Sequence, residues 1–254
     1  MAFLEELVKV TKEALDAGYY DLNLKVYYPK KKLSDALRSN KISIISEIKF
    51  ASPSLGKIRD YTDPVKIAKE MEEAGATALS VLTHKSFNGS LNYLLNIRIA
   101  VDLPLLMKDI IIDKRQIDAA SKVGADCILL IYTIFKEGYA DNIEGFIDYA
   151  HERNLEVLLE VHDRDEFEEA LDMNADIIGI NNRDLKTMKI DISNTERLLD
   201  NIKNNKLIIS ESGINKPEDI KRLYRLGIKG FLIGTSIMKS NNIKEKLYEL
   251  MRAV

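Results

Sequence analysis

From residue 40 onward, two kinds of hydrophobic pattern alternate along the chain. Short apolar runs rich in Ile, Leu and Val occupy 42–48, 78–83, 103–109, 127–133, 156–162, 177–182, 207–213 and 230–236. Most are apolar at successive positions rather than at every second one, as expected for strands covered on both faces. Between them lie amphipathic stretches such as PVKIAKEMEEAG, KRQIDAASKVG, DEFEEALDMN and PEDIKRLYRLG. Each ends in Gly or Asn, residues that tolerate the left-handed backbone that stops a helix, and several begin with Pro or an acidic residue suited to a first turn. The junctions AGATAL, VGADCI, MNADII and LGIKGF repeat one helix-stop-then-strand pattern.

Eight strand–helix units without a break in composition predict an α/β fold, a closed (βα)8 TIM barrel, which needs about 250 residues; the chain has 254. The alternative is an open doubly wound sheet, but no strand is followed by a G-x-G-x-x-G turn to support it. Residues 1–254 therefore read as one barrel domain. Residues 1–40 read as an N-terminal helical extension, placed to cap one barrel end.

Composition narrows the partners. The 37 Lys+Arg against 40 Asp+Glu give a net charge of −3, so neither nucleic acid nor an anionic membrane is an expected partner. The basic run at 30–32 is too short to change that and reads as solvated surface. One cysteine makes neither an internal disulfide nor a multi-cysteine zinc site. Charges interspersed through MAFLEELVKVTKEALDAG argue against a signal peptide or anchor, and no uncharged apolar run spans a bilayer. A cytoplasmic protein is the expectation.

Charge sits where buried strands tolerate it least. Glu47 and Lys49, Lys108, Glu160, Asn181 with Asn182, and Glu211 with Ser212 lie near the carboxyl ends of five strands. In a barrel those ends surround one mouth, where active sites are built. Taken singly, each has a bland reading: a rim salt bridge, a loop opening, turn chemistry or a buried ion pair organising the barrel. Their convergence on one rim points to catalysis. Ser212-Gly213 and Gly234-Thr235-Ser236 follow the last two strands, the recurrent phosphate position of this architecture. His84 and His162 are placed to approach the rim, His151 sits on a charged helix, and no H-x-x-H or H-E-x-x-H spacing suggests a metal.

The segments IISEIKFASPSLG, LTHKSFNGSLNYL, LPLLMKDIIIDKRQIDAASKVGAD, LLEVHD, GINNRDLKTMKID, SESGI and FLIGTSIM closely resemble the indole-3-glycerol phosphate synthase family, in order and in strand location. The match runs from about Leu33 to Met238, the first 30 residues sharing only general character. The resemblance implies a carbon–carbon lyase of tryptophan biosynthesis that needs no cofactor. Its substrate is a small phosphorylated aromatic, 1-(2-carboxyphenylamino)-1-deoxyribulose 5-phosphate, which is cyclised, decarboxylated and dehydrated. Carried onto this chain, it implies Lys108 as the acid for ring closure and Glu160 as the carboxylate of later proton transfers. Lys49 would meet the anthranilate carboxylate, Glu47 would orient these groups, and Asn181, Glu211 and Ser212 would position hydroxyls and developing charge. Gly213, Gly234 and Thr235 would hold phosphate, with Ser52 and Ser54 near the first loop, and Arg183, Phe87 and Leu185 would shape the anthranilate side.

Three positions depart from the family pattern: Ile110 where an aromatic is frequent, Leu55 where many members have Lys, and Thr235 for a common Ser. None removes an acid–base residue. The other readings are phosphoribosylanthranilate isomerase, on a related substrate, and a non-catalytic barrel that binds phosphorylated ligands.

Overall fold

The structure, a computed structural model, describes residues 2–24, 26–53, 55–202 and 205–254. Its frame is a closed barrel of eight parallel strands. They are β1 (Ser43–Ile48), β2 (Ala78–Leu82), β3 (Leu105–Lys108), β4 (Cys127–Ile131), β5 (Glu156–Val161), β6 (Ile177–Asn181), β7 (Ile208–Glu211) and β8 (Gly230–Ile233). Each pairs with its sequence neighbours, and β8 closes on β1 through the register Ser43 with Gly230 to Ser46 with Ile233. All eight predicted runs are strands, trimmed at their ends. The run at 127–133 stops at Ile131 because Tyr132–Lys136 turns into a helix, and the last run gives way to the helix Thr235–Met238.

The helices form where the punctuation placed them. Pro64–Glu73 opens with Pro at its first turn after Asp63, whose carboxylate accepts from the Val65 amide. Lys114–Val123 has a capping box between Asp113 and Gln116 and ends on Gly124 at φ 94°. Arg164–Asp172 differs from expectation: it leaves through Met173 in an extended conformation at φ −78°, so Asn174 is not the left-handed stop.

The N-terminal extension does more than cap one end. Helix Ala2–Asp16 lies over the carboxyl mouth, where the Thr11 hydroxyl meets His84 Nε2 at 3.1 Å and Phe3, Leu4 and Leu7 join the lining. Tyr20 donates to the buried Asp109, which also accepts from Thr83. The chain then crosses to the opposite end, where Leu33–Ser39 buries Leu33 and Leu37. There the Ser34 amide and hydroxyl donate to the two oxygens of Glu156, at 3.0 and 2.6 Å. The basic run at 30–32, expected as plain solvated surface, takes part in this crossing. Lys30 Nζ donates to Ala125 O at 2.7 Å and the Lys31 amide to Asp126 at 3.0 Å.

Candidate active site

The mouth end of the barrel interior is ionic. Alternate strands fill a TIM barrel in layers, and here β1, β3, β5 and β7 contribute Glu47, Lys108, Glu160 and Glu211. Lys108 Nζ lies 3.0 Å from Glu211 and 3.4 Å from Glu47. Lys49, just past the end of β1, meets Glu47 at 2.5 Å. Small residues make room for these groups. A Cβ on Gly179 would come within 2.2 Å of Glu211 Oε1, and one on Gly234 within 2.3 Å of Glu47 Oε1. Gly234 is thus required by the ionic layer itself, a reason its loop position did not disclose.

Electrostatics divides the three carboxyls. Burial opposes ionisation of Glu47, but the Lys49 and Lys108 ammonium groups outweigh it and hold its pKa down at about 2. Glu160 is also drawn below the ordinary range: burial works against it, while contact with His162, then the Lys108 charge and a hydrogen bond from Asn181, favour the anion. Glu211 goes the other way. Its complete burial, with the Glu160 and Glu47 charges, outweighs Lys108 and raises its pKa. One of its oxygens, Oε1, is buried with no hydrogen-bond partner among the described residues. Lys108 is partly buried, which opposes its charge, yet the carboxylates around it raise its pKa and keep it an ammonium.

This layer opens into a cavity of about 110 Å³ lined by Glu47, Lys49, Lys108, Glu160, Asn181 and Ser212, with Ser52, Phe87, Arg183 and Leu185 on its walls. A larger cavity of about 380 Å³ lies alongside, lined in part by Thr133, His162, Glu166 and Asp184. Charge placement, rather than size, marks the smaller one as the candidate site. Arg183 is half-buried, which lowers its pKa; its guanidinium donates to Met188 O and its amide to Asn181 Oδ1. Among the described residues, no group of three or more His, Cys, Asp or Glu is placed to hold a metal ion, and no helix is long and apolar enough to cross a membrane.

The residues expected at the rim are therefore largely brought together. Glu211 belongs to the layer but lies beneath the cavity and does not line it. Gly213, Gly234 and Thr235 stand at the ends of β7 and β8, outside the cavity lining. Ser54 lies outside the described residues. Asn182 separates in role from Asn181: it is buried, donates to Ser210 Oγ and the carbonyls of Glu211 and Ser212, and accepts from Thr195. It braces the end of β7. Sequence reasoning missed the wall supplied by Phe3, Leu4 and Leu7, which no strand-end pattern signals. It also missed the pairing of His162 with Glu160 at 3.1 Å, which their two-residue spacing on a strand end foreshadows.

Comparison with known proteins gives the site a context. Solved barrels share the fold: a thiamine phosphate pyrophosphorylase from Pyrococcus furiosus superposes with TM-score 0.62 at 18% identity, over 87% of this chain and 97% of that one. An N-acetylmannosamine-6-phosphate 2-epimerase from Clostridium perfringens gives 0.61 at 16%, over 84% and 93%. Relatives by sequence are far more specific. The indole-3-glycerol phosphate synthase of Caldanaerobacter subterraneus subsp. tengcongensis is 45% identical, covering 95% of this chain and 96% of its own. That of Methanocaldococcus jannaschii is 46% identical over 97% and 92%, and that of Aquifex aeolicus 44% over 99% and 99%. The family model described as indole-3-glycerol phosphate synthase matches residues 4–250, so the likeness takes in the N-terminal helix that the motifs alone left out. By that span and those identities, the chain belongs to the indole-3-glycerol phosphate synthase family, lyases of tryptophan biosynthesis that act by decarboxylative cyclisation.

Proposed function

We propose that the ionic mouth carries out this family's reaction on 1-(2-carboxyphenylamino)-1-deoxyribulose 5-phosphate with Lys108 as acid and Glu160 as base. The observation that carries the assignment is the Lys108 ammonium at the cavity wall, 3.0 Å from Glu211 and 3.4 Å from Glu47, with Glu160 in the same layer. Lys108 gives a proton to the ketone oxygen while the ring carbon bearing the carboxylate bonds to the ketone carbon, leaving a hydroxyl. Carbon dioxide then departs, and its bonding pair restores the aromatic ring. In the dehydration the hydroxyl takes a second proton and leaves as water, while Glu160 removes a proton from the methylene carbon beside the ring nitrogen. The balance over the sequence is one proton consumed for each carbon dioxide and water released.

The remaining groups position the substrate. Lys49, paired with Glu47 on the cavity lining, meets the anthranilate carboxylate; Arg183, Phe87 and Leu185 wall the ring. Glu47 orients the two lysines, and Asn181, Glu211 and Ser212 hold hydroxyls and developing charge. Ser52, from the first loop, lines the cavity. Gly213, Gly234 and Thr235 take the phosphate at the ends of β7 and β8, where Ser212 and Gly213 turn the backbone through φ 64° and 82°. Gripping both ends of the substrate brings the reacting carbons together. Purified protein given this substrate is expected to release indole-3-glycerol phosphate, followed by indole fluorescence. Absence of product from folded protein would overturn the assignment. Among the described residues, no feature of the mouth favours the isomerase or the non-catalytic reading.

A further inference from the structure

His162 lies just past the end of β5, two residues after Glu160, with a side chain only 10% exposed. Its ring stands between two carboxylates: Nε2 is 3.1 Å from Glu160 Oε1, and Nδ1 is 3.5 Å from Glu166 Oε2. The Glu160 contact is not aligned as a straight hydrogen bond, so it acts as a short ion pair. Glu166 is itself buried in the first turn of Arg164–Asp172. It accepts from the His162 amide at 2.9 Å and the Thr133 hydroxyl at 2.8 Å. Only an imidazolium offers an N–H at both nitrogens, and a carboxylate faces each one here.

The charge count of the layer gives this contact its importance. Three carboxyls, Glu47, Glu160 and Glu211, share Lys108, whose direct contacts are to Glu211 and Glu47. Lys49 is taken by Glu47. Glu160 therefore has His162 as its contacting cation among the described residues.

We propose that His162 is a positioning residue which, as an imidazolium bridged between Glu160 and Glu166, fixes the Glu160 carboxylate and keeps it ionised for proton abstraction. The inference deepens the assignment of Glu160 as base and rests on it. It explains why Glu160 and Glu211, in one layer, titrate in opposite directions: one has a private cation, the other shares Lys108 and keeps an unpartnered oxygen. Burial pulls the His162 pKa down, but Glu160 and Glu166 reverse this and bring it to about 9. The other groups facing the ring are Thr133 Oγ1 at 3.4 Å, with Lys136, Asp163 and Asp184 around the adjoining cavity.

Two measurements on the full chain test this. In substrate-free protein, the His162 ring is followed by NMR against pH, its signal assigned with His162→Gln. In Glu160→Gln its pKa is expected to fall by about one unit or more; an unchanged value would overturn the pairing. In kinetics, His162→Gln keeps a neutral N–H donor but no charge. The acidic limb of kcat should move up by about one pH unit, with KM within about threefold and turnover recovering above the limb. Glu166→Gln leaves the imidazolium charged at acid pH, so the limb should not move up in that variant. A uniform loss of kcat at every pH would mean that His162 only packs, and would overturn the proposal. Full turnover by Glu160→Gln would instead sink the base assignment, and the titration distinguishes that failure from a failure of the pairing.

Discussion

The two ends of the barrel both bury charge, and they treat it differently. At the amino end, Asp126 accepts from Arg98 at 2.9 Å and from the Leu105 and Lys31 amides, while Glu156 has both oxygens occupied by Ser34. At the carboxyl end, one lysine is divided among carboxylates, a Glu211 oxygen lacks a partner, and the layer opens onto a cavity. A shifted pKa does not tell the ends apart. Burial raises Glu156 and Asp126 against the hydrogen bonds they accept, much as it raises Glu211. What differs is completeness. A satisfied network holds the extension to the barrel, whereas an incomplete one beside a cavity has capacity left for substrate.

Lys108→Ala is expected to lower kcat by about 10³-fold or more, the scale of a lost general acid, while circular dichroism still reports a folded barrel. Near-normal turnover would reduce the mouth network to architecture.

At the other end, Arg98→Ala leaves Asp126 buried without its cation and should cost about 3–5 kcal/mol. Calorimetry should register a Tm lower by about 10 °C, with KM unchanged at temperatures where the variant is folded. A KM change without a Tm change would reverse the roles assigned to the two ends.

Glu211→Gln sharpens the contrast through pH. A carboxyl whose folded pKa is raised holds its proton in the native state above the unfolded pKa, so wild-type stability falls as pH rises through that interval. The variant lacks this loss, and urea titrations should move in its favour by about 1 kcal/mol between pH 5 and 8. Its turnover should fall. A stability difference independent of pH would show that Glu211 is not held protonated by its surroundings.

The smallest effect is expected for Ser34→Ala, which removes one of the two donors to Glu156. It should cost about 1–2 kcal/mol in chemical denaturation and leave kcat and KM as they are.

Much of this was legible along the chain. Continuous apolar runs bounded by caps and glycines specify parallel strands and helices locally, so the eight-fold count and strand positions follow from neighbours in sequence. The candidate acids and bases were legible for a related reason: charge at the end of a buried strand is costly enough to need an explanation, and Glu47, Lys108, Glu160 and Glu211 all carry that signature. Illegible were contacts between residues far apart in the chain. Thr11 against His84 and Ser34 against Glu156 join segments 73 and 122 residues apart, and no local pattern records them. The 30–32 run looked like surface because composition does not reveal which basic side chains find carbonyls. The packing reason for Gly234, added to its phosphate reading, was hidden because only the closed barrel brings Glu47 against it.

The sequence by itself determined the alternation of elements, the barrel they build and the identity of the groups at its mouth, because periodicity and capping are local and the cost of buried charge is general. Tertiary structure decided how those groups share charge. It set Lys108 between Glu211 and Glu47, gave Glu160 a separate cation in His162, and sent the N-terminal extension across both ends. These outcomes depend on which strands become second neighbours when the sheet closes. Electrostatic energies, which vary steeply with distance and burial, are fixed only at that point.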